Sequence, residues 1–353
     1  MRMRWHAKPT LVVAAALLAW LAGAARASQE REACRGAARL DGSFLQLTTV
    51  AADRPREEWE TLFADMRAIG IDQVFLQWTR ADGVAFYATP DDQDTERPIV
   101  ETLLELAAAH GMRVWVGLAH DPGWWAGIDR SRPATEVEVF LARRRLENLA
   151  VAEALAATVA QRATFAGWYV PDEIDDRNWL GAERTALVAG YLDDMLGGLR
   201  TLTPGAAVAV SGFGQGWATP GQLAEQWSAI LTRARIDLVL FQDGIGAGKL
   251  TLADLAPYLP SLQVAVAAAG GELGVVVELF SAAPPTPDAA PGFTAAPAPL
   301  ERIEAQLALD QRWATGPLVA FSVPDYMSDL AGARGAGLYR AYRSWSEGCA
   351  ATR

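Results

Sequence analysis

The chain has 353 residues, 51% of them hydrophobic, and 31 Lys and Arg against 42 Asp and Glu give a formal net charge of -11. An acidic chain with no basic patch interleaved with aromatics repels phosphate backbones, so nucleic acid is not an expected partner. Two cysteines and three histidines leave little material for a zinc centre, and neither a cofactor nor a metal is expected.

Arg2, Arg4 and Lys8 make a basic start, Leu11 to Ala24 is a short Ala-rich apolar run, and Ala25-Arg26-Ala27 is a small-x-small site before Ser28. This is the pattern of a signal peptide over residues 1–27, cut after Ala27, which predicts a periplasmic or extracellular protein of residues 28–353 with no stable membrane span. A retained N-terminal anchor is the competing reading. Cleavage takes four positive charges from the net of -11, leaving about -15. Cys34 and Cys349 lie near the two ends of the mature chain and are expected to pair in an oxidising compartment; two separate thiols are the alternative.

From there the pattern alternates. Ser43 to Leu47 predicts a strand, Arg56 to Gly70 a helix, Gln73 to Trp78 a strand, Val100 to Ala109 a helix and Arg113 to Leu118 a strand. A long helical pattern over Val137 to Gln161 precedes the apolar strand that begins at Phe165 and is expected to stop at Asp172-Glu173. The rhythm continues with a helix over Ala182 to Arg200, a strand at Ala207 to Val210, a helix over Pro220 to Ala234 and a strand at Leu238 to Phe241. A helix over Leu252 to Ala269, a strand at Gly274 to Leu279, a helix over Leu300 to Trp313, a strand at Leu318 to Val323 and a helix over Ala333 to Trp345 complete it. Eight strand-helix units with doubly apolar strands predict a single (β/α)8 TIM barrel of the α/β class. The Ala/Pro-rich stretch Ser281 to Pro299 interrupts the rhythm, as a neutral insertion or as a lid carrying Phe293.

In such a barrel the working groups sit at the C-terminal strand ends. Those ends carry Gln77 and Trp78, His120 and Asp121, Asp172 and Glu173, Ser211 and Phe213, Gln242 and Asp243, Glu278, and Asp325 and Tyr326. Glycoside cleavage needs one carboxyl that holds a proton and a second that is ionised. Glu278 ends the apolar run Val275-Val276-Val277, where a charge is costly without a task or a partner; an ion pair with a rim arginine is its bland explanation. For Glu173 the bland explanation is a cap on the following helix. Trp78, Trp124, Trp125, Trp179 and Trp217 fall at or after strand ends, where indole faces stack on sugar rings, whereas Trp59, Trp227 and Trp313 lie in helical patterns and are expected in the core.

The segments Gly167-Trp168-Tyr169-Val170-Pro171-Asp172-Glu173, Phe241-Gln242-Asp243-Gly244 and Val277-Glu278-Leu279-Phe280 resemble a bacterial domain-of-unknown-function family of secreted barrels placed beside the clan A retaining glycoside hydrolases. That resemblance implies Glu173 as general acid/base and Glu278 as nucleophile of a secreted polysaccharide hydrolase. Clan A enzymes usually have asparagine before the acid/base; here Asp172 stands there, and its charge is expected to raise the pKa of Glu173. Gln77, Trp78, His120, Trp124, Trp125, Tyr169, Asp172, Phe213, Gln242, Asp243 and Tyr326 are the expected carbohydrate-binding residues. A glycan-binding barrel without catalysis, and a lyase or epimerase using Asp243 or His120 as base, are the competing functions.

Overall fold

The computed structural model describes residues 38–89, 95–283 and 294–350. The expected signal peptide, Cys34, the side chain of Cys349 and Phe293 fall outside the described residues, and with them the expected disulfide and lid.

Eight parallel strands close into a barrel: β1 (Gly42–Leu45), β2 (Gln73–Leu76), β3 (Arg113–Gly117), β4 (Phe165–Asp175), β5 (Ala207–Phe213), β6 (Leu238–Gln242), β7 (Glu272–Glu278) and β8 (Leu318–Phe321). Closure is made by β8 against β1, with Gly42 opposite Val319. Each strand is followed by a covering helix: α1 (Arg56–Ala68), α2 (Val100–Ala109), α3 (Ala134–Ala160), α4 (Ala182–Leu202), α5 (Pro220–Arg233), α6 (Tyr258–Ala268), α7 (Leu300–Asp310) and α8 (Gly332–Ala350). The expected TIM barrel is therefore the fold.

The elements follow from local chemistry. Thr219 caps α5 through a capping box with Gln222, and Pro220 occupies the first turn, where its missing N–H costs nothing. The single helix expected over Leu252 to Ala269 is instead two, Leu252–Leu255 and α6, because Pro257 between them lacks the N–H that would continue the first. Inside the barrel Phe44, Phe75, Trp115, Tyr169, Leu238, Leu240, Val276 and Val319 form a packed plug. Trp59 and Trp227 are buried in the outer core under the helices, as their helical spacing predicts.

Two rim features have no counterpart in the strand-helix rhythm. Residues Arg80–Ala81, Val84–Ala85 and Thr95–Glu96 form a small sheet after β2, turning at Asp82 and Gly83, both at positive φ as a tight hairpin turn requires. The interrupting stretch after β7 begins and ends as an antiparallel pair, Phe280–Ala282 with Ala295–Pro297.

The strand carrying Glu173 runs on past the expected stop. Opposite β5, Val170 pairs with Val210 and Ile174 with Gly212, so four steps on β4 match two on β5 and the ladder bulges at Pro171-Asp172-Glu173. Pro171 has no N–H to donate, and a bulge re-aims side chains at a barrel rim.

Candidate active site

Side chains alternate across a strand, so neighbouring residues face opposite sides. Tyr169 faces the barrel interior, Asp172 the helices and Glu173 the mouth. A cavity of about 590 Å³ opens at the C-terminal end of the barrel, lined by Glu173 and Glu278 together with Gln77, Trp78, His120, Trp124, Trp125, Asp172, Gln242 and Tyr326. A groove of about 570 Å³ between α4 and α5 holds one carboxylate, Glu225, and no facing pair.

Glu173 is half-buried, and its Oε1 accepts a 2.6 Å hydrogen bond from Gln242 Nε2. Burial raises its pKa; Lys249 and Gln242 oppose that, and the charge of Glu278 adds to it. Glu278 is 4% exposed and its Oε2 accepts a 2.6 Å bond from the Ala247 N–H. Burial, then the charge of Asp243, pushes it up to about 7, against the pull of Ala247, Lys249 and Arg302. The two glutamates thus share one cavity and feel each other's charge.

Lys249, which a count of strand ends does not reach, enters the same cavity from the loop after β6. Its ammonium rests 3.1 Å from the centroid of the Phe213 ring. Burial lowers its pKa, and Glu173 and Glu278 are the first two charges acting the other way. The only trace in the sequence is the run Gly244-Ile245-Gly246-Ala247-Gly248-Lys249. Gly244 and Gly248 sit at φ +68°, and a Cβ on Gly246 would lie 2.3 Å from Phe280 O and 2.8 Å from Glu278 Cβ. Only a glycine lets this loop press its Ala247 N–H onto Glu278.

Aromatic walls flank the pair. The Trp78 and His120 rings pack at 4.4 Å, tilted by 38°, and Trp78 Nε1 donates to Leu47 O at 2.6 Å. Burial lowers the pKa of His120, and its Nδ1 is buried without a hydrogen-bond partner. Trp124 is buried and donates to Glu173 O at 3.2 Å, so it braces the bulge, while Trp125 stays 41% exposed as an open platform. Gln77 accepts from Gln46 at 2.8 Å, and Tyr326 packs on Phe280 at 5.1 Å.

Four expected carbohydrate contacts take other places. Tyr169 lies one layer below the mouth, 1% exposed, its hydroxyl 2.7 Å from Ser211 Oγ. Phe213 is buried as the seat of Lys249 and packs on Trp125 at 5.6 Å. Asp243 faces outward, one residue after the inward Gln242; it accepts from the Ile245 N–H at 3.1 Å and from Gln306 of α7, and burial pushes it up to about 6. Asp172 reaches the cavity edge but spends both oxygens elsewhere. Arg144 donates to Oδ1 at 2.9 and 3.2 Å, and Asn148 donates to Oδ2 at 2.8 Å, where the Tyr191 hydroxyl also bonds. With its charge answered by Arg144, Asp172 is not among the leading causes of the Glu173 shift, contrary to expectation. Trp179 is fully buried and Trp217 is 53% exposed outside the cavity lining. Glu278 makes no side-chain pair with the rim arginine: Arg302 donates to its backbone O at 2.8 Å.

Among the described residues no group of three or more His, Cys, Asp or Glu side chains is arranged to hold a metal ion, and no helix is long and apolar enough to cross a membrane.

The fold has relatives among solved TIM-barrel glycoside hydrolases. A candidate alpha-L-fucosidase from Bacteroides thetaiotaomicron superposes with a TM-score of 0.68 at 19% identity, over 88% of this chain and 96% of that one. An endo-beta-1,4-mannanase from Thermotoga petrophila gives 0.57 at 14% identity, over 89% and 78%. In sequence, the uncharacterized protein YbcH of Escherichia coli is 30% identical over 244 residues, 66% of this chain and 76% of YbcH. Residues 40–331 match the profile of a domain of unknown function, DUF4434, which takes in every barrel strand, and the chain belongs to that family.

Proposed function

We propose that this chain is an exported retaining glycoside hydrolase acting on a polysaccharide, with Glu173 as general acid/base and Glu278 as nucleophile. The observation that carries the reading is the convergence of these two carboxyls, from the ends of β4 and β7, in one aromatic-walled cavity. The working state has one proton on the pair. Glu278 Oε attacks the anomeric carbon as the glycosidic C–O bond breaks, and Glu173 gives its proton to the departing oxygen. A water then attacks the glycosyl-enzyme; Glu173 takes its proton, and Glu278 leaves as carboxylate. Gln242 orients Glu173, and the Ala247 N–H orients Glu278.

Lys249 balances the site: with Glu173 protonated and Glu278 ionised, its ammonium brings the local charge to neutrality, which suits an uncharged sugar. Trp78 and Trp125, which both line the cavity, supply flat apolar faces on which a sugar ring can stack. Of the two bases of the lyase or epimerase reading, Asp243 lies behind the cavity wall and His120 lines the cavity. The test is release of reducing sugar from a panel of bacterial and plant glycans. Glu173→Gln and Glu278→Gln are each expected to lose about 10²-fold or more in rate. Undiminished release by either variant rejects the assignment, and binding without release by the parent protein supports a non-catalytic barrel.

A further inference from the structure

Behind Glu278, α7 turns a polar column toward the barrel: Arg302, Gln306 and Asp310, spaced four apart and so on one helical face. The upper two hold the Glu278 strand end. Arg302 Nη2 donates to Glu278 O at 2.8 Å and to Phe280 O at 2.6 Å, and Gln306 Nε2 donates to Asp243 Oδ2 and, at 3.4 Å, to Glu278 O.

The lowest member has no evident task. Asp310 and Gln306 are both 0% exposed. Neither Asp310 oxygen has a hydrogen-bond partner, and neither has Gln306 Oε1. Three enclosed acceptors without a donor, one turn apart, are what an unplaced proton leaves behind. A carboxylate facing an amide oxygen is repelled by it, whereas a carboxylic acid donates to it.

We propose that Asp310 is a positioning residue: a neutral acid whose O–H donates to Gln306 Oε1 and thereby fixes which way the Gln306 amide points. With Oε1 occupied, Nε2 faces Asp243. The flipped amide would set its oxygen against that carboxylate. Asp243, so held, accepts from the Ile245 N–H at the start of the glycine loop and reaches the Glu278 N–H at 3.4 Å, on either side of the working carboxylate. Burial first, and then the charge of Asp243, holds the Asp310 proton well beyond the ordinary carboxylate range. The charged groups facing Asp243 are Arg302 and Glu278.

The link to catalysis rests on the reading of Glu278 as nucleophile, but the test needs no substrate. The carboxyl carbons of the full chain are titrated by NMR in the parent protein, Asp310→Asn and Asp310→Ala, with Asp243→Asn to assign Asp243. One aspartate resonance is expected to stay in the neutral-acid position up to pH 8 and to vanish in both Asp310 variants. Asn carries an N–H in place of the O–H, so Asp310→Asn leaves the Asp243 titration where it was. Asp310→Ala frees the Gln306 amide and moves that titration up by about 0.7 pH unit, the size of one net hydrogen bond. An ionised Asp310 at pH 8 in the parent protein overturns the proposal, whether or not the alanine variant folds. So does an Asp243 titration that alanine leaves alone or asparagine moves as far. Inactivity toward every glycan would count against the hydrolase reading and leave this result standing.

Discussion

Asp172 and Glu173 are adjacent in the chain and face opposite sides of β4: Asp172 is closed into an ion pair with Arg144, whereas Glu173 points into the cavity. Arg144 is fully buried and also donates to Ala119 O at 2.6 Å, and Asn148, one turn along α3, accepts from the Ala119 N–H. The pair therefore bolts the β4 bulge to α3 and to the end of β3. It fixes the base from which Glu173 projects.

Arg144→Met should leave the Asp172 charge enclosed without its counter-ion, at a cost of about 3–5 kcal/mol, because a buried charge stripped of its partner keeps its desolvation penalty. Urea unfolding measures this directly. A loss below about 1 kcal/mol would mean that the carboxylate finds water or another donor.

Lys249→Met should move the pH window of hydrolysis upward. A cation beside two carboxyls favours the ionised form of each, so its removal raises both titrations. Glu278 then ionises at higher pH, which shifts the acid limb up, and Glu173 keeps its proton to higher pH, which shifts the alkaline limb the same way. A kcat/KM profile against pH reports both limbs as properties of the pair. A profile that falls in height without moving would restrict Lys249 to substrate contact.

Glu278→Gln should stabilise the protein above neutral pH. In the folded chain Glu278 titrates at about 7, while unfolded glutamate titrates near 4.3. Between those values the folded state binds the proton that the unfolded state has lost, so stability falls as pH rises from about 4.5 through 7. Asp243, at about 6, adds a fall of the same sign. Unfolding at pH 5 and pH 8 should show a smaller drop in Glu278→Gln than in the parent protein. An equal drop would place the penalty elsewhere.

The barrel was legible because the strands are apolar on both faces and each helix shows its own spacing; the Pro257 break, the run of β4 past Glu173, the end of β8 at Phe321 and the two small rim sheets were not. Counting strands puts Glu173 and Glu278 at the ends of β4 and β7 among several other carboxylates, and the resemblance to clan A hydrolases is what pairs them. The surroundings were harder to read. Position at a strand end does not say which face a residue takes, and the alternation at Asp172-Glu173 and Gln242-Asp243 sends one of each pair to the cavity and the other to the helices. Tyr169 falls on the inward face but one layer too low. Lys249 sits in a glycine loop with no periodicity, where the conformation depends on the close approach of Gly246 to Glu278. Asp172 found its partner in Arg144, one of three consecutive arginines in α3 that nothing in the sequence separates.

The central claim is that Glu278 attacks the sugar and Glu173 handles the proton. It is tested most directly by mixing Glu173→Gln with a glycoside of a cleaved sugar whose leaving group needs no protonation, and weighing the protein. Departure remains fast, while hydrolysis of the intermediate, lacking its base, is slow. The mass should rise by one glycosyl unit, carried on the peptide containing Glu278, and the same treatment of the Glu173→Gln/Glu278→Gln double variant should leave the mass unchanged. An adduct on another residue, or release of the leaving group with no adduct at any time, would contradict the assignment.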